Sequence, residues 1–254
     1  MNRPKIIAGN WKMNKSFEEG MSLCSEVTNM LIDEVQGDVK VILVPPFLHI
    51  HALSQLAKTS NRIAIGGQNC HHKQAGAFTG EVSASMLKSA GADYVLIGHS
   101  ERREYFGEKE DVLADKIRRA LESGLTPIYC VGELKAEREN GDYYEVIRKQ
   151  LKGVLAEFSE QEVSQMFIAY EPVWAIGTGL TATPEQAQEI HSFIRIEIEN
   201  LFSAECSQLL PILYGGSVNA DNAASLFSMP DIDGGLVGGA SLKSRDFVNI
   251  IKSI

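Results

Sequence analysis

Cysteine, positive charge and long apolar runs are what this chain has little of. The four cysteines, Cys24, Cys70, Cys130 and Cys206, stand far apart with no C-x-x-C spacing. That excludes a disulfide framework or a zinc ribbon and fits a reducing compartment. Lys and Arg number 24 against 33 Asp and Glu, a net charge of −9. A general nucleic-acid footprint is therefore not expected, and an anionic ligand would have to be held by local groups rather than by the overall field. No stretch approaches the length of a membrane span. The opening Met1-Asn2-Arg3-Pro4-Lys5 leads into only Ile6-Ile7-Ala8, where a secretory segment needs about 7–15 apolar residues. These absences predict a cytoplasmic protein without nucleic-acid or membrane partners. Metal is not expected either. Cys70-His71-His72 and His49-x-His51 offer ligand types, but no carboxylate or fourth ligand is spaced to complete a site, so they read as surface histidines.

What the chain does have is alternation. Short β-branched runs fall at Lys5–Asn10, Val39–Val44, Arg62–Gly66, Tyr94–Gly98, Thr126–Val131, Met166–Tyr170, Ile212–Tyr214 and Gly235–Val237. Between them lie segments with apolar residues at three- and four-residue intervals. One carries Phe17, Met21, Cys24, Thr28 and Leu31, another Tyr144, Ile147, Leu151, Val154 and Phe158, a third Ala187, Ile190, Ile194, Ile198 and Leu201. Thr183 before Pro184 and Glu185 marks a helix start. Met21, Met30 and Met86 read as core filler and the run Glu133 to Glu139 as a solvated face. Strands alternating with helices imply parallel βαβ units. Eight of them in 254 residues, at about 32 residues each, favour an α/β fold in one domain, 1–254, closed as a (β/α)8 barrel rather than opened as a doubly wound sheet. The connection from Gln68 to Glu81 is long for a compact domain. It reads equally as a surface excursion or as an arm that docks on another subunit.

In a barrel, reactive groups belong at the C-terminal ends of strands. Asn10-Trp11-Lys12, Gly98-His99-Ser100-Glu101 and Glu171-Pro172 end the first, fourth and sixth strands, bringing one ammonium, one imidazole and one carboxylate to one rim. That trio suits acid–base work on an anion. Gly215-Gly216-Ser217, before a helix expected near Ala220, and Gly238-Gly239 end the last two strands. Their exposed backbone N–H groups could cradle a phosphate, or the glycines could simply make tight turns. Gly177-Thr178-Gly179-Leu180-Thr181-Ala182 matches the G-x-G-x-x-A dinucleotide fingerprint in form. The fingerprint should open directly from its strand, but Glu171 to Ile176 intervene, so a mobile lid is the better reading.

Five motifs then occur in order. They are Ala8-Gly9-Asn10-Trp11-Lys12-Met13-Asn14, Gly98-His99-Ser100-Glu101-Arg102-Arg103, Ala169-Tyr170-Glu171-Pro172-Val173-Trp174-Ala175-Ile176-Gly177-Thr178-Gly179, Tyr214-Gly215-Gly216-Ser217-Val218 and Gly234-Gly235-Leu236-Val237-Gly238-Gly239-Ala240. With them the chain resembles the triosephosphate isomerases from end to end. The resemblance implies a single TIM barrel that interconverts dihydroxyacetone phosphate and D-glyceraldehyde 3-phosphate through an enediolate, in glycolysis and gluconeogenesis, with no metal or organic cofactor. It implies Glu171 as the base, His99 as the neutral electrophile, Lys12 as the cation holding substrate, and Asn10 as a positioning group. Gly177, Ser217, Gly238 and Gly239 would bind the phosphate, under a lid that carries Gly177. The segment 68–81 would be the arm of a homodimer, with Thr79 approaching the neighbour's site. One departure is Leu180, where family members often carry Lys. Two other classes compete with it: a barrel kept as a binding protein after losing activity, against which the intact Lys12, His99 and Glu171 argue, and an NAD-dependent oxidoreductase using the glycine-rich lid.

Overall fold

Continuous apolar strands have no solvent face, and a parallel sheet covered by helices is where such strands are stable. The computed structural model, which describes residues 3–58, 60, 62–177 and 180–254, arranges them as one closed barrel. Its strands are β1 (Lys5–Asn10), β2 (Val39–Val44), β3 (Ile63–Gly67), β4 (Tyr94–Ile97), β5 (Thr126–Val131), β6 (Phe167–Tyr170), β7 (Ile212–Tyr214) and β8 (Gly234–Val237). Each pairs in parallel with the next, and β8 closes on β1 with Ile6 opposite Gly234.

Five strand edges differ from the sequence reading, the start of β3 at Ile63 rather than Arg62 among them. β3 runs on to Gly67 because Gly67 pairs with Val95, and β8 starts at Gly234 because that residue pairs with Ile6. β4 stops at Ile97 because Gly98, at φ +77°, turns the chain out of the ladder. Met166 closes a turn on the carbonyl of Val163 rather than joining β6.

Side chains alternate along a strand, so the parity of the core residues fixes what points down the barrel axis at its open end. Ile6, Ala8, Ile42, Val44, Leu96, Ile128, Cys130, Phe167, Ala169, Leu213 and Leu236 pack together inside the barrel, while Ile7, Val41 and Ile168 join the larger core beneath the helices. Two residues beyond Ala8, Ala169, Leu213 and Leu236 come Asn10, Glu171, Gly215 and Gly238. The same parity that buries the core therefore delivers a carboxamide, a carboxylate and two bare backbone stretches to the C-terminal mouth.

The helices bury most of the stripes that their periodicity implies, with Phe17, 43% exposed, an exception. Helix Phe17–Glu34, held by a Ser16–Glu19 capping box, buries Cys24, Thr28 and Leu31, and helix Pro184–Leu201, capped by Thr183, buries Ala187, Ile190, Ile194 and Ile198. Helix Tyr143–Leu155 buries Ile147, Leu151 and Val154. Some expectations fail. Met86 is 55% exposed rather than core filler, whereas Met21 and Met30 do pack against the core. His49 is not a surface histidine. It is fully buried, with Nε2 2.9 Å from the carbonyl of Ser16. Glu133 is buried too, leaving only the residues after it to make the solvated face. The helix expected near Ala220 begins at Ala223, because Asn219 and Asn222 first close a turn through each other's side chains.

At the N-terminal end of the barrel a buried ion network ties the last strands together. Arg195 donates Nε to Asp231 Oδ1 (2.8 Å), Nη2 to Asp233 Oδ2 (2.6 Å) and the Asp231 carbonyl (3.2 Å), and Nη1 to the carbonyls of Ser207 (2.6 Å) and Leu210 (3.1 Å). Asp233 also accepts from Arg3 Nε at 2.6 Å and from the backbone N–H of Ile212 at 2.9 Å. Every guanidinium donor thus has an acceptor, which is what makes a buried charge tolerable.

Candidate active site

Asn10, Lys12, His99, Glu171, Gly177, Ser217, Gly238 and Gly239 all line one cavity of about 500 Å³ at the C-terminal mouth of the barrel. Each arrives by a different local device. Asn10 and Glu171 come from strand parity. Lys12 sits two residues past β1 at φ +50°, an uncommon conformation for a side-chain-bearing residue. It is held there by its N–H on Asn10 Oδ1 (3.0 Å) and by Gln68, whose Nε2 donates to the Lys12 carbonyl at 2.7 Å. His99 follows the Gly98 turn and caps helix Ser100–Phe106, with Nδ1 accepting the N–H of Glu101 at 3.3 Å. That bond assigns the tautomer: Nδ1 is the acceptor, so the proton of the neutral ring lies on Nε2, facing the cavity.

The three charged groups rest on one another. Glu171 is 2% exposed, with Oε1 3.0 Å from His99 Nε2 and Oε2 accepting the N–H of Ser100 at 2.8 Å. Lys12 Nζ pairs with Glu101 Oε1 at 2.6 Å. Burial pushes the Glu171 carboxyl up, but contact with His99 and the Ser100 N–H outweighs it, and the group lies below the ordinary carboxylate range. Burial likewise pushes His99 down, and the Glu171 carboxylate reverses it, so the ring is raised while the two touch. The upward shift belongs to that contact. Once Glu171 turns away, burial, the helix N-terminus and Lys12 all favour neutral imidazole, opposed only by the Glu101 carboxylate 3.7 Å from Nδ1.

Glycine is required where this machinery is tightest. A Cβ on Gly215 would lie 3.0 Å from Glu171 Cγ and 3.1 Å from the Tyr170 carbonyl. Beyond β8, the short 3-10 turn Gly239–Leu242 follows Gly238 directly, and the first N–H groups of such a turn have no partner within it. The Ser217 hydroxyl donates to the Ala175 carbonyl at 2.7 Å, linking the β7 loop to the lid's leading end. Gly177 has φ +68°; Thr178 and Gly179 of the expected lid lie outside the described residues.

The family profile described as Triosephosphate isomerase matches residues 5–254. The chain belongs to the triosephosphate isomerase family. It is 53% identical to "Triosephosphate isomerase" of Cytophaga hutchinsonii over 251 residues, covering 99% of each chain. It is 49% identical to the protein of that name from Bacteroides fragilis over 249 residues, 98% of each chain. With that of Acetivibrio thermocellus it shares 49% over 252 residues, 99% of each.

Against this triosephosphate isomerase frame, the sequence reading missed four participants. Glu101, the Ser100 N–H and Gln68 hold the charged groups in place, and Glu133 accepts from Trp174 Nε1 at 2.7 Å at the lid's root. The rule that rims carry function could have found Glu101 and Glu133, since both follow strand ends. Among the described residues no group of three or more His, Cys, Asp or Glu side chains is placed to hold a metal ion, and no helix is long and apolar enough to cross a membrane.

Proposed function

We propose that this isomerase moves a proton between adjacent carbons of a triose phosphate, with Glu171 as base, His99 as electrophile and Lys12 as the cation. The chain interconverts dihydroxyacetone phosphate and D-glyceraldehyde 3-phosphate. The observation that carries the assignment of roles is the meeting of Lys12, His99 and Glu171 in one cavity next to unencumbered backbone at Gly238 and Gly239. Substrate enters between the paired groups. Glu171 leaves His99 and the Ser100 N–H and turns to the carbon-bound proton. The freed Nε2–H of neutral His99 then donates to the oxygens, which gain charge as the enediolate forms. A proton beside a carbonyl is weakly acidic, so such preorganised donors lower the barrier most where charge develops. Lys12, offset from Glu101 by the incoming anion, supplies positive charge, and Asn10 orients the oxygens. The phosphate is held by the N–H groups of Gly177, Ser217, Gly238 and Gly239. Closure of the lid excludes water, which strengthens these interactions and limits loss of phosphate from the intermediate.

A homodimer built on the segment 68–81 is the reading for partners. Met13 (95% exposed), Leu48, Phe78, Met86, Tyr105 and Phe106 are all large, apolar and exposed. They follow β1, β2, β3, β3, β4 and β4 in that order, so the closed barrel gathers them on one flank. Apolar surface collected in that way marks an interface. The acidic, cysteine-poor composition supports a cytoplasmic location.

The test is a coupled assay of both triose phosphates with a metal chelator present. Full activity with chelator is expected, and loss of about three orders of magnitude in Glu171→Gln, the range that positioned acid–base groups supply. A Glu171→Gln enzyme retaining a tenth of the activity would remove the carboxylate from the mechanism. Sedimentation showing a fully active monomer at micromolar concentration would dispose of the dimer.

A further inference from the structure

Behind the root of the lid runs a line of contacts that the proton transfer does not use. Trp174 lies in the 3-10 turn Val173–Ala175 and shares Glu133 Oε1 with the Tyr170 hydroxyl, at 2.7 and 3.0 Å. Glu133 is fully buried, and its other oxygen, Oε2, has no hydrogen-bond partner. The guanidinium of Arg138 lies over the Trp174 ring, 5.8 Å from its centre, with Nη1 3.9 Å from Glu133 Oε1 and also without a hydrogen-bond partner. Arg138 Nη1 thus stops about one ångström beyond bonding reach of the carboxylate oxygen that Trp174 and Tyr170 occupy, while that carboxylate's other oxygen stays unbonded, and unmade bonds of buried groups cost free energy unless something holds the pair apart.

What holds Arg138 back is on its far side. Its Nη2 lies 3.5 Å from Glu189 Oε2, and its plane stacks on Tyr143, 4.1 Å from the ring centre. Glu189 Oε1 in turn accepts from the Tyr143 hydroxyl at 3.1 Å and from the Tyr144 hydroxyl. Tyr143 and Tyr144 open helix Tyr143–Leu155, and Glu189 belongs to helix Pro184–Leu201. An anchor on the outer surface of the barrel therefore fixes a cation against the lid's root.

We propose that Glu189, with the hydroxyls of Tyr143 and Tyr144, is a positioning group for the lid, holding Arg138 against Trp174 and off Glu133 so that Trp174 and Arg138 can exchange as partners of that carboxylate. When Trp174 is on Glu133, Arg138 stays with Glu189. When the lid moves and Trp174 departs, Arg138 closes the gap and keeps the buried carboxylate paired. Without the anchor, Arg138 collapses permanently onto Glu133 and competes with Trp174. A staple that merely joined two helices would affect stability alone, so the two roles separate in kinetics.

The inference rests on the isomerase reading, and the parent enzyme tests that reading separately. The experiment compares D-glyceraldehyde 3-phosphate with unphosphorylated D-glyceraldehyde, since the lid grips only the phosphate. Glu189→Gln, on a side chain 37% exposed, is expected to lower kcat/KM for the phosphorylated substrate roughly fivefold, within the usual range for coupling through packed networks. Turnover of glyceraldehyde should stay within about twofold of the parent. Tyr144→Phe should lose less, in the same direction, and Glu189→Gln combined with Arg138→Gln should lose no more than the larger single change. An unchanged kcat/KM for the phosphorylated substrate in both Glu189→Gln and Tyr144→Phe overturns the proposal. So does an equal fall on both substrates. A parent enzyme inactive on both triose phosphates would instead strike the isomerase reading.

Discussion

At the N-terminal end of the barrel Arg195 commits all its donors to Asp231, Asp233 and three carbonyls, whereas at the C-terminal end Lys12 and Glu171 lean on partners that the proposed mechanism has a substrate displace. Burial differs accordingly. The Arg195 and Asp233 side chains are almost completely enclosed, while those of Lys12 and Glu101 are partly exposed. Both clusters are charged, and both involve the ends of several strands. The lower one stabilises because every atom has a permanent partner. In the proposed mechanism the upper one works because its pairings are provisional: His99 and Glu171 satisfy each other only until an anion separates them. One fold can hold both because strand starts and strand ends meet different surroundings, one packed by side chains and one opening on a cavity.

Exchanging the damage between the two ends is the sharpest way to break this comparison. Glu171→Gln should cost about 10³-fold in kcat/KM while moving the unfolding midpoint little, since a neutral amide still meets His99 and Ser100. Asp233→Ala should do the reverse. Removing one partner from a buried ion network costs about 3–5 kcal/mol of stability, because an enclosed Arg195 Nη2, Arg3 Nε and the Ile212 N–H all lose the acceptor that Asp233 provides. The kcat/KM of the fraction that stays folded should remain within about twofold of the parent, following the usual independence of distant sites. Urea unfolding beside the coupled assay reads both quantities. If Asp233→Ala instead loses activity without losing stability, the two ends are not separate devices.

A finer contrast lies in pH. His191, packed against Tyr170 and Tyr214 next to the lower network, gives Nδ1 to the Asp231 carbonyl at 3.1 Å. Burial pushes its pKa from 6.5 down to about 3. Between those values the unfolded chain binds a proton that the folded chain refuses, so stability falls as pH falls through that window. Glu171, held below the ordinary 4.5, also favours the folded state above that value, but its contribution is lost only as pH falls through and beneath 4.5. His191→Gln should therefore flatten the stability curve by about 1.4 kcal/mol per pH unit from pH 6 downward, and Glu171→Gln should flatten it only below about pH 4.5. Equal slopes for His191→Gln and parent at pH 5–6 would show that His191 is not buried neutral.

How much of this was legible in the sequence follows the same division. Groups at the upper rim were readable because they sit next to strand ends with distinctive neighbours: Asn10 two residues past Ala8, Glu171 two past Ala169, His99 after Gly98. The lower network was not readable. Arg195 and Asp233 are 38 positions apart with no local signal, and only barrel closure brings the start of β8 over the helix Pro184–Leu201. Glu133 and His49 were misread for a related reason. Residue type argues for the surface, but Glu133 directly follows the β5 end and Gly132, and His49 lies under Phe17, which stacks on it at 6.0 Å. Strand edges slipped at Gly67, Gly98 and Gly234, since a glycine continues or leaves a ladder according to neighbours that the local sequence does not contain.

The smallest expected effect concerns the departure at Leu180. The position is half exposed and does not line the cavity that Gly177 enters. A lysine there would put one positive charge near the rim of an anion site in a chain whose net charge is −9. That charge would sit in water, where it is largely screened beyond about 8 Å at physiological salt, and its stem would cover much the same surface as leucine. Leu180→Lys should therefore leave kcat/KM within about twofold and stability within about 0.5 kcal/mol of the parent, as for surface changes away from special features. A severalfold gain at low salt that vanishes at high salt would mean that the upper rim recruits its substrate by field as well as by contact. A severalfold change that ignores salt would place the rate in the lid hinge itself, and the provisional pairings at Lys12 and Glu171 would then not be what limits turnover.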